Sequence, residues 1–300
     1  MTSRRGERVR GESGHATAGA ATYTCVGSGT CVPLASRGPA CHLAGAGELR
    51  IVLDLGSGSL RSLARLGEAV LDLDAVGLTH RHTDHVADLL PLLFALRHAP
   101  GGRREAPLTV FGYAGLRRDL EGLARVHGGW VLEPGFELRL RELAPGESLR
   151  LARGGAAAEI TAHATRHTPE ALGFRLEMEA SVPASLAYSG DTGASDALIG
   201  LAAGADLFVC ECAFPDGQGV EGHLTPSELL PLLAEAAPRR TVTTHFYPTW
   251  DELGIERLWR EALARFGAEL DVVPARDGMR VELPGAPADP RARGEGVAAC

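Results

Sequence analysis

Four side chains able to hold a metal ion fall within six positions of this chain, in His80-Arg81-His82-Thr83-Asp84-His85. Imidazole nitrogens and carboxylate oxygens are the usual ligands of zinc and similar divalent ions. The order H-x-H-x-D-H lets two ions bind side by side. His80 and His82 would serve one, Asp84 and His85 the other. The chain has 11 histidines in 300 residues, so three of them within six positions read as a site and not as a solvated turn.

Such a cluster needs elements that make its side chains converge. An apolar run over 70–78 reads as a strand, and Val86-Ala87-Asp88-Leu89-Leu90 reads as the start of a helix that Pro100-Gly101-Gly102 ends. The cluster then sits in a strand-to-helix turn. Three further candidates stand at strand ends: His167 in Arg166-His167-Thr168-Pro169, Asp191 in Tyr188-Ser189-Gly190-Asp191-Thr192, and His245 in Thr243-Thr244-His245-Phe246. Ligands at the ends of successive strands can meet at one rim of a sheet. A carboxylate has two oxygens, so Asp191 can bridge two ions.

The remaining pattern alternates strands with a few helices. Strands are predicted near 23–26, 49–54, 108–111, 136–143, 158–164, 173–179, 186–189, 207–210, 241–244, 272–273 and 279–283. Helical stripes run over 60–66 and 116–126. Thr225-Pro226-Ser227-Glu228 is a capping box with proline at the first helical position. Thr249-Trp250-Asp251-Glu252 has the same spacing and is predicted to open a helix ending at Gly267. Together these predict one α/β sandwich domain over 21–283, with a disordered leader over 1–20 and a disordered tail over 284–300. No internal repeat stands out. His15, His42, His98 and His127 are expected at the surface or in turns, and Trp130, Trp250 and Trp259 in the core.

Composition narrows the function classes. A net charge of −8 and a pI near 5.8 argue against an extended nucleic-acid surface, which carries a basic stripe. Neither glycine turn, Gly27-Ser28-Gly29-Thr30 or Leu55-Gly56-Ser57-Gly58-Ser59, fits a nucleotide-binding motif. No apolar run is long enough to span a membrane, and the basic N-terminus lacks the apolar stretch of a secretory signal. The six cysteines form no C-x-x-C, which predicts free thiols and a cytoplasmic setting.

The whole set resembles the metallo-β-lactamase-fold hydrolases, in particular the ribonuclease Z-like phosphodiesterases. The likeness runs from Gly27-Ser28-Gly29-Thr30 through Leu53-Asp54-Leu55-Gly56-Ser57-Gly58 and the H-x-H-x-D-H cluster to Thr244-His245. It implies a four-layered αββα sandwich with two divalent ions at one edge, zinc or manganese. By the resemblance, His80, His82 and His167 hold one ion, Asp84, His85 and His245 the other, and Asp191 bridges. His163 competes with His167, but Gly173-Phe174-Arg175 follows His167 as in the family. Asp54 resembles the family's aspartate that accepts from a ligand imidazole. His223, in Gly222-His223-Leu224-Thr225, matches the non-ligand histidine near the leaving group. Glu211, in Cys210-Glu211-Cys212, matches its acidic partner.

The implied chemistry is hydrolysis by a metal-bridging hydroxide, oriented by Asp84, with His223 as general acid. One departure bears on the substrate. Ribonuclease Z proteins that mature tRNA usually carry an inserted arm between the positions of His167 and Asp191. Here only 24 positions separate them, with no room for an arm. The expected substrate is therefore a small phosphodiester, such as a cyclic nucleotide or cyclic ribose phosphate, ahead of RNA. No membrane partner is expected, and a homodimer is left open. The alternatives are a tRNA 3′ endoribonuclease, a thioester or lactone hydrolase, and a metal-free binding module.

Overall fold

Strand pairing in this chain follows from what joins each strand to the next. The computed structural model describes residues 19–99 and 104–283. His15, nearly all of the predicted leader, the predicted tail, and the helix stop at Pro100-Gly101-Gly102 lie outside the described residues. In the first half β1 (Ala21–Gly27), β2 (Cys41–Ala46) and β3 (Leu49–Leu53) are joined without helices and pair antiparallel. Helices then intervene. These are α1 (Ser59–Arg65) before β4 (Ala75–Leu78), α2 (Thr83–Val86) and α3 (Leu89–His98) before β5 (Leu108–Gly112), and α4 (Leu116–His127) before β6 (Leu138–Glu142). A helical crossover returns the chain in the same direction, so β3 to β6 run parallel.

The second half repeats this plan. β7 (Ser148–Arg153), β8 (Ala156–Ala164), β9 (Leu172–Glu179) and β10 (Ala184–Tyr188) pair antiparallel. Next come α5 (Asp196–Ala202), β11 (Leu207–Glu211), α6 (Pro226–Ala236), β12 (Thr241–Thr244), α7 (Pro248–Leu253), α8 (Ile255–Phe266) and β13 (Val272–Pro274), whose strands run parallel. β14 (Arg280–Leu283) crosses back to pair antiparallel with β1. Among the described residues each sheet has seven strands, in the orders β14-β1-β2-β3-β4-β5-β6 and β13-β12-β11-β10-β9-β8-β7. The sheets face one another and helices cover them, which is the expected αββα sandwich. Between the sheets, Phe111 of β5 meets Phe174 of β9 edge to face at 5.2 Å, both buried. Such a pair contributes about 1 kcal/mol beyond its burial.

Four sequence readings change. The apolar run over 70–78 is strand only at Ala75–Leu78, preceded by a 3₁₀ turn at Val70–Asp72. Asp74 accepts from Arg50 N–H, which fixes where pairing begins, and Leu71 stays exposed. The helix expected from Val86 is interrupted before Leu89. Leu55 N–H donates to the His85 carbonyl at 2.7 Å and Asp88 N–H to the Leu55 carbonyl at 2.9 Å, so the loop after β3 takes the bonds a continuous helix would use. The last long helix is two. Pro248 begins the first, Gly254 ends it at φ 84, and Thr249 Oγ1 has no hydrogen-bond partner among the described residues, so no capping box forms there. β2 and β7 have no counterpart in the sequence reading. The Thr225 capping box is present, and Trp250 stacks on Trp259 in the core at 5.6 Å.

Candidate metal centre

Five strand ends reach one rim of the sandwich. Thr79 and His80 follow β4, His167 lies beyond β8, Asp191 beyond β10, Glu211 ends β11, and His245 follows β12. Close backbone approach locks this rim. A Cβ on Gly56 would lie 2.1 Å from the Asp84 carbonyl, so only glycine lets the β3 loop press against the histidine cluster. Leu172 N–H donates to the Thr79 carbonyl at 3.0 Å and ties the two sheets together at the site.

All seven side chains named as ligands converge. His80, His82, His167 and Asp191 form one group, and Asp84, His85 and His245 another; the candidate ligand atoms within each lie no more than 4.8 Å apart. In the first, His82 Nδ1 is 3.0 Å from His80 Nε2 and 3.2 Å from His167 Nε2. In the second, His245 Nε2 is 3.5 Å from Asp84 Oδ2. Asp191 stands between them. Its Oδ1 is 3.4 Å from both His85 and His245 Nε2, and its Oδ2 is 3.7 Å from His80 Nε2 and 3.8 Å from His167 Nε2. His163 is half-buried on β8 and belongs to neither group.

The nitrogens facing away from this centre decide which ones face it. His85 Nδ1 donates to Asp54 Oδ2 at 2.8 Å, leaving the Nε2 lone pair toward the site. Asp54 is itself held by Thr79 N–H at 2.8 Å, by Thr79 Oγ1 at 2.9 Å and by the Tyr188 hydroxyl at 2.7 Å. Because Thr79 Oγ1 donates to Asp54, it accepts from His80 Nδ1, 3.0 Å away. His167 Nδ1 donates to the Gly222 carbonyl at 3.0 Å. Asp54 and His245 hold left-handed backbone, with φ of 57 and 60. Non-glycine residues hold such angles when their surroundings force them. At His245 the neighbours do so: Phe246 N–H donates to the Ser28 carbonyl at 2.9 Å, and Arg37 lies over the Phe246 ring at 4.9 Å.

These residues fit divalent ions on their own chemistry. The buried Nε2 atoms of His85 and His245 have no hydrogen-bond partner among the described residues. A buried polar atom left unpaired is costly, and a metal ion takes up such a lone pair. Charge points the same way. Burial alone would raise Asp191, but the imidazoles of His245 and His85 beside it hold it well below the usual carboxylate range. Burial and the neighbouring His85 push His80 down to about 2, so it presents a neutral imidazole.

His223 and Glu211 also meet at this rim. Glu211 is buried, and its Oε1 accepts from His223 Nδ1 at 2.8 Å and from Thr192 N–H at 3.0 Å. Its Oε2 accepts from Ala213 N–H at 2.9 Å and Leu224 N–H at 3.3 Å. Burial would lower the His223 pKa, but Glu211's hydrogen bond and charge outweigh it and hold it above its usual value. The His223 ring stacks on His245 at 5.5 Å, and it forms a third candidate ligand group with Asp191 and His245. His223 also lines a cavity of about 470 Å³.

The sequence reading missed Thr79 and Tyr188 and misplaced His42. His42 is buried, not at the surface. Its Nδ1 lies 3.0 Å from the Tyr23 hydroxyl and its ring 4.7 Å from Tyr188, which continues the support behind Asp54. No motif marks it, because its strand, Cys41-His42-Leu43-Ala44-Gly45-Ala46, lacks β-branched residues. Tyr188 and Thr79 flank named residues, and that adjacency was the available signal.

Comparison with known proteins agrees with this geometry. Residues 50–246 match the family model of the beta-lactamase superfamily domain. An uncharacterized protein of Mycobacterium tuberculosis is 30% identical over 237 residues, covering 78% of this chain and 82% of that protein. Ribonuclease Z of Mycobacterium bovis is 28% identical over 282 residues, covering 87% of this chain and 97% of the enzyme. Among solved structures, the metallo-beta-lactamase fold protein YhfI from Bacillus subtilis shares 23% identity and a TM-score of 0.70, covering 88% of this chain and 99% of that one.

Proposed function

This chain belongs to the beta-lactamase superfamily, and from that premise we propose that it is a dinuclear metal-dependent phosphodiesterase acting on a small phosphodiester. One observation carries the reading beyond generic hydrolysis: an imidazole beside the ligand groups, held at Nδ1 by the buried Glu211. A phosphodiester expels an alkoxide, a poor leaving group that needs a proton, whereas a thioester expels a thiolate that leaves without one. His223 is oriented to give that proton.

Two divalent ions, when bound, would acidify a water and neutralise charge on the diester. His80, His82 and His167 would hold one, Asp84, His85 and His245 the other, with Asp191 shared. Asp84 has a carboxylate oxygen available to orient the attacking water and take its proton. His223 donates its Nε2 proton to the departing oxygen and recovers one from solvent, while Glu211 keeps the ring in place. Asp54 fixes the tautomer of His85.

The connection between His167 and Asp191 supports a small substrate. It is filled by β9, a short turn and β10, with no projecting arm. The similarity to ribonuclease Z favours tRNA 3′ processing as the second reading. Five cysteines are free thiols among the described residues, and no described helix is long and apolar enough to cross a membrane, which supports a cytoplasmic setting.

A panel of cyclic nucleotides, model diesters, thioesters and precursor tRNA, assayed with zinc and with manganese, tests the proposal. Hydrolysis of small diesters is expected, and efficient cleavage of precursor tRNA at its 3′ side would overturn the preference. His223→Ala should keep its metal and lose rate by roughly a hundredfold or more on diesters with poor leaving groups. On nitrophenyl diesters the loss should be small. Full activity of His223→Ala on an alkyl diester would remove its role as acid, and loss of metal would make it a ligand.

A further inference from the structure

We propose that the cavity beside His223 is a subsite for a hydroxylated, sugar-like leaving alcohol, selected by Arg166 and Glu221; this rests on the phosphodiesterase reading above. The cavity of about 470 Å³ is lined by Arg166, Gly193, Glu221, Gly222, His223 and Ser227, among others. Its size is that of a small-molecule pocket, commonly ~300–1,000 Å³. Its lining includes His223, the imidazole assigned above to protonate the departing oxygen, and the proposal places the rest of the leaving alcohol in this space.

The lining chemistry sets the class of that alcohol. Val220 and Ala194 are the only wholly apolar side chains, and no Phe, Tyr or Trp contributes. A flat apolar group would gain little here. Arg166 offers only donors, a carboxylate offers only acceptors, and the Ser227 hydroxyl offers both. Neighbouring sugar hydroxyls, each a donor and an acceptor, match that alternation. A second anionic group fits less well, because Glu221 and Glu228 share the cavity with Arg166.

Arg166 is anchored at its base and only loosely held at its tip, where Nη1 donates to the Ala194 carbonyl at 3.5 Å. Its N–H donates to Thr192 Oγ1 at 3.1 Å, and its carbonyl accepts from Gly193 N–H at 2.8 Å, beside the candidate ligands His167 and Asp191. Its side chain is 65% exposed and approaches the 92% exposed Glu221 only to 3.9 Å. An ion pair so exposed contributes little, so substrate hydroxyls can replace it at small cost.

The test compares two methyl phosphodiesters that differ in the leaving alcohol, one ribose and one p-nitrophenol. The protein is the zinc-loaded full chain, either unaltered or carrying Arg166→Ala or Glu221→Gln. Each variant should lose about tenfold in kcat/KM on the ribosyl diester, mainly through KM, as expected for a lost hydrogen bond to a charged group. On the nitrophenyl diester the change should stay within about twofold, the range left when a contact is not used. Equal losses on both diesters, or none on either, would overturn the subsite while leaving the phosphodiesterase reading intact. Failure of the unaltered zinc-loaded protein to hydrolyse either diester would overturn both.

Discussion

His80, His82 and His167 lie on one side of Asp191, and Asp84, His85 and His245 on the other, yet the fold supports the two sets by different means. The second set is backed by a buried chain of hydrogen bonds. His85 leans on Asp54, which takes further bonds from Thr79 and Tyr188, with His42 packed behind. In the first set His80 shares that chain through Thr79, whereas His82 is exposed, and its Nε2 makes no hydrogen bond among the described residues. The loop carrying it is braced at the surface, where Arg81 reaches Glu170 at 3.1 Å and Asp119 at 3.6 Å. Buried hydrogen bonds in low dielectric keep their strength, whereas half-exposed ion pairs are screened. The contrast sets a buried, firmly braced group of candidate ligands beside one whose outermost member, His82, is braced only at the surface. A chelator should therefore strip the outer ion first, giving two separable phases of metal release.

The strongest break of this contrast is to remove what the two sides share. Asp191→Ala should abolish hydrolysis and lower bound metal on both sides, read by elemental analysis and assay. Retention of both ions would deny it the bridging position. A narrower change is Tyr188→Phe, which deletes one bond to Asp54 and little else. It should weaken the tightly held ion by roughly tenfold, the scale for groups that orient ligands. Chelator competition would then show the two release phases moving together, and no movement would mean that the buried chain does not support the ion. Arg81→Ala should have the smallest effect. It should cost under ~1 kcal/mol in stability and speed only the first phase of release, since exposed pairs contribute little. An equal change in both phases would mean that the two positions are mechanically coupled.

Much of this site was legible because ligation restricts residue type. Histidine and aspartate at H-x-H-x-D-H spacing, then single candidate ligands after apolar strands, leave few other readings. The supporting residues obey looser rules. Tyr188 and His42 look like ordinary strand residues until the fold brings them behind Asp54 from separate sheets. The strands show the same divide. Thr241–Thr244 was read with its observed bounds because it is a β-branched run between turns. β2 was missed because Ala, Gly and His carry no strand preference, and tertiary burial alone makes it extended. The shared plan of the two sheets was also hidden, since topology is repeated here and side chains are not.

β14 has a consequence for how the chain is made. Its register, Thr24 with Arg280 and Ala21 with Leu283, covers the outer edge of β1 with the last strand of the domain. Asp277 adds a clasp, accepting from Ser28 N–H and from Gly38 N–H. On a ribosome adding about 5–20 residues per second, β1 emerges on the order of ten seconds to a minute before the strand that covers it. During that interval its ladder of unpaired peptide groups is an invitation to another nascent chain. Polysomes, where copies of this edge are crowded together, are where the protein is most exposed to misassembly.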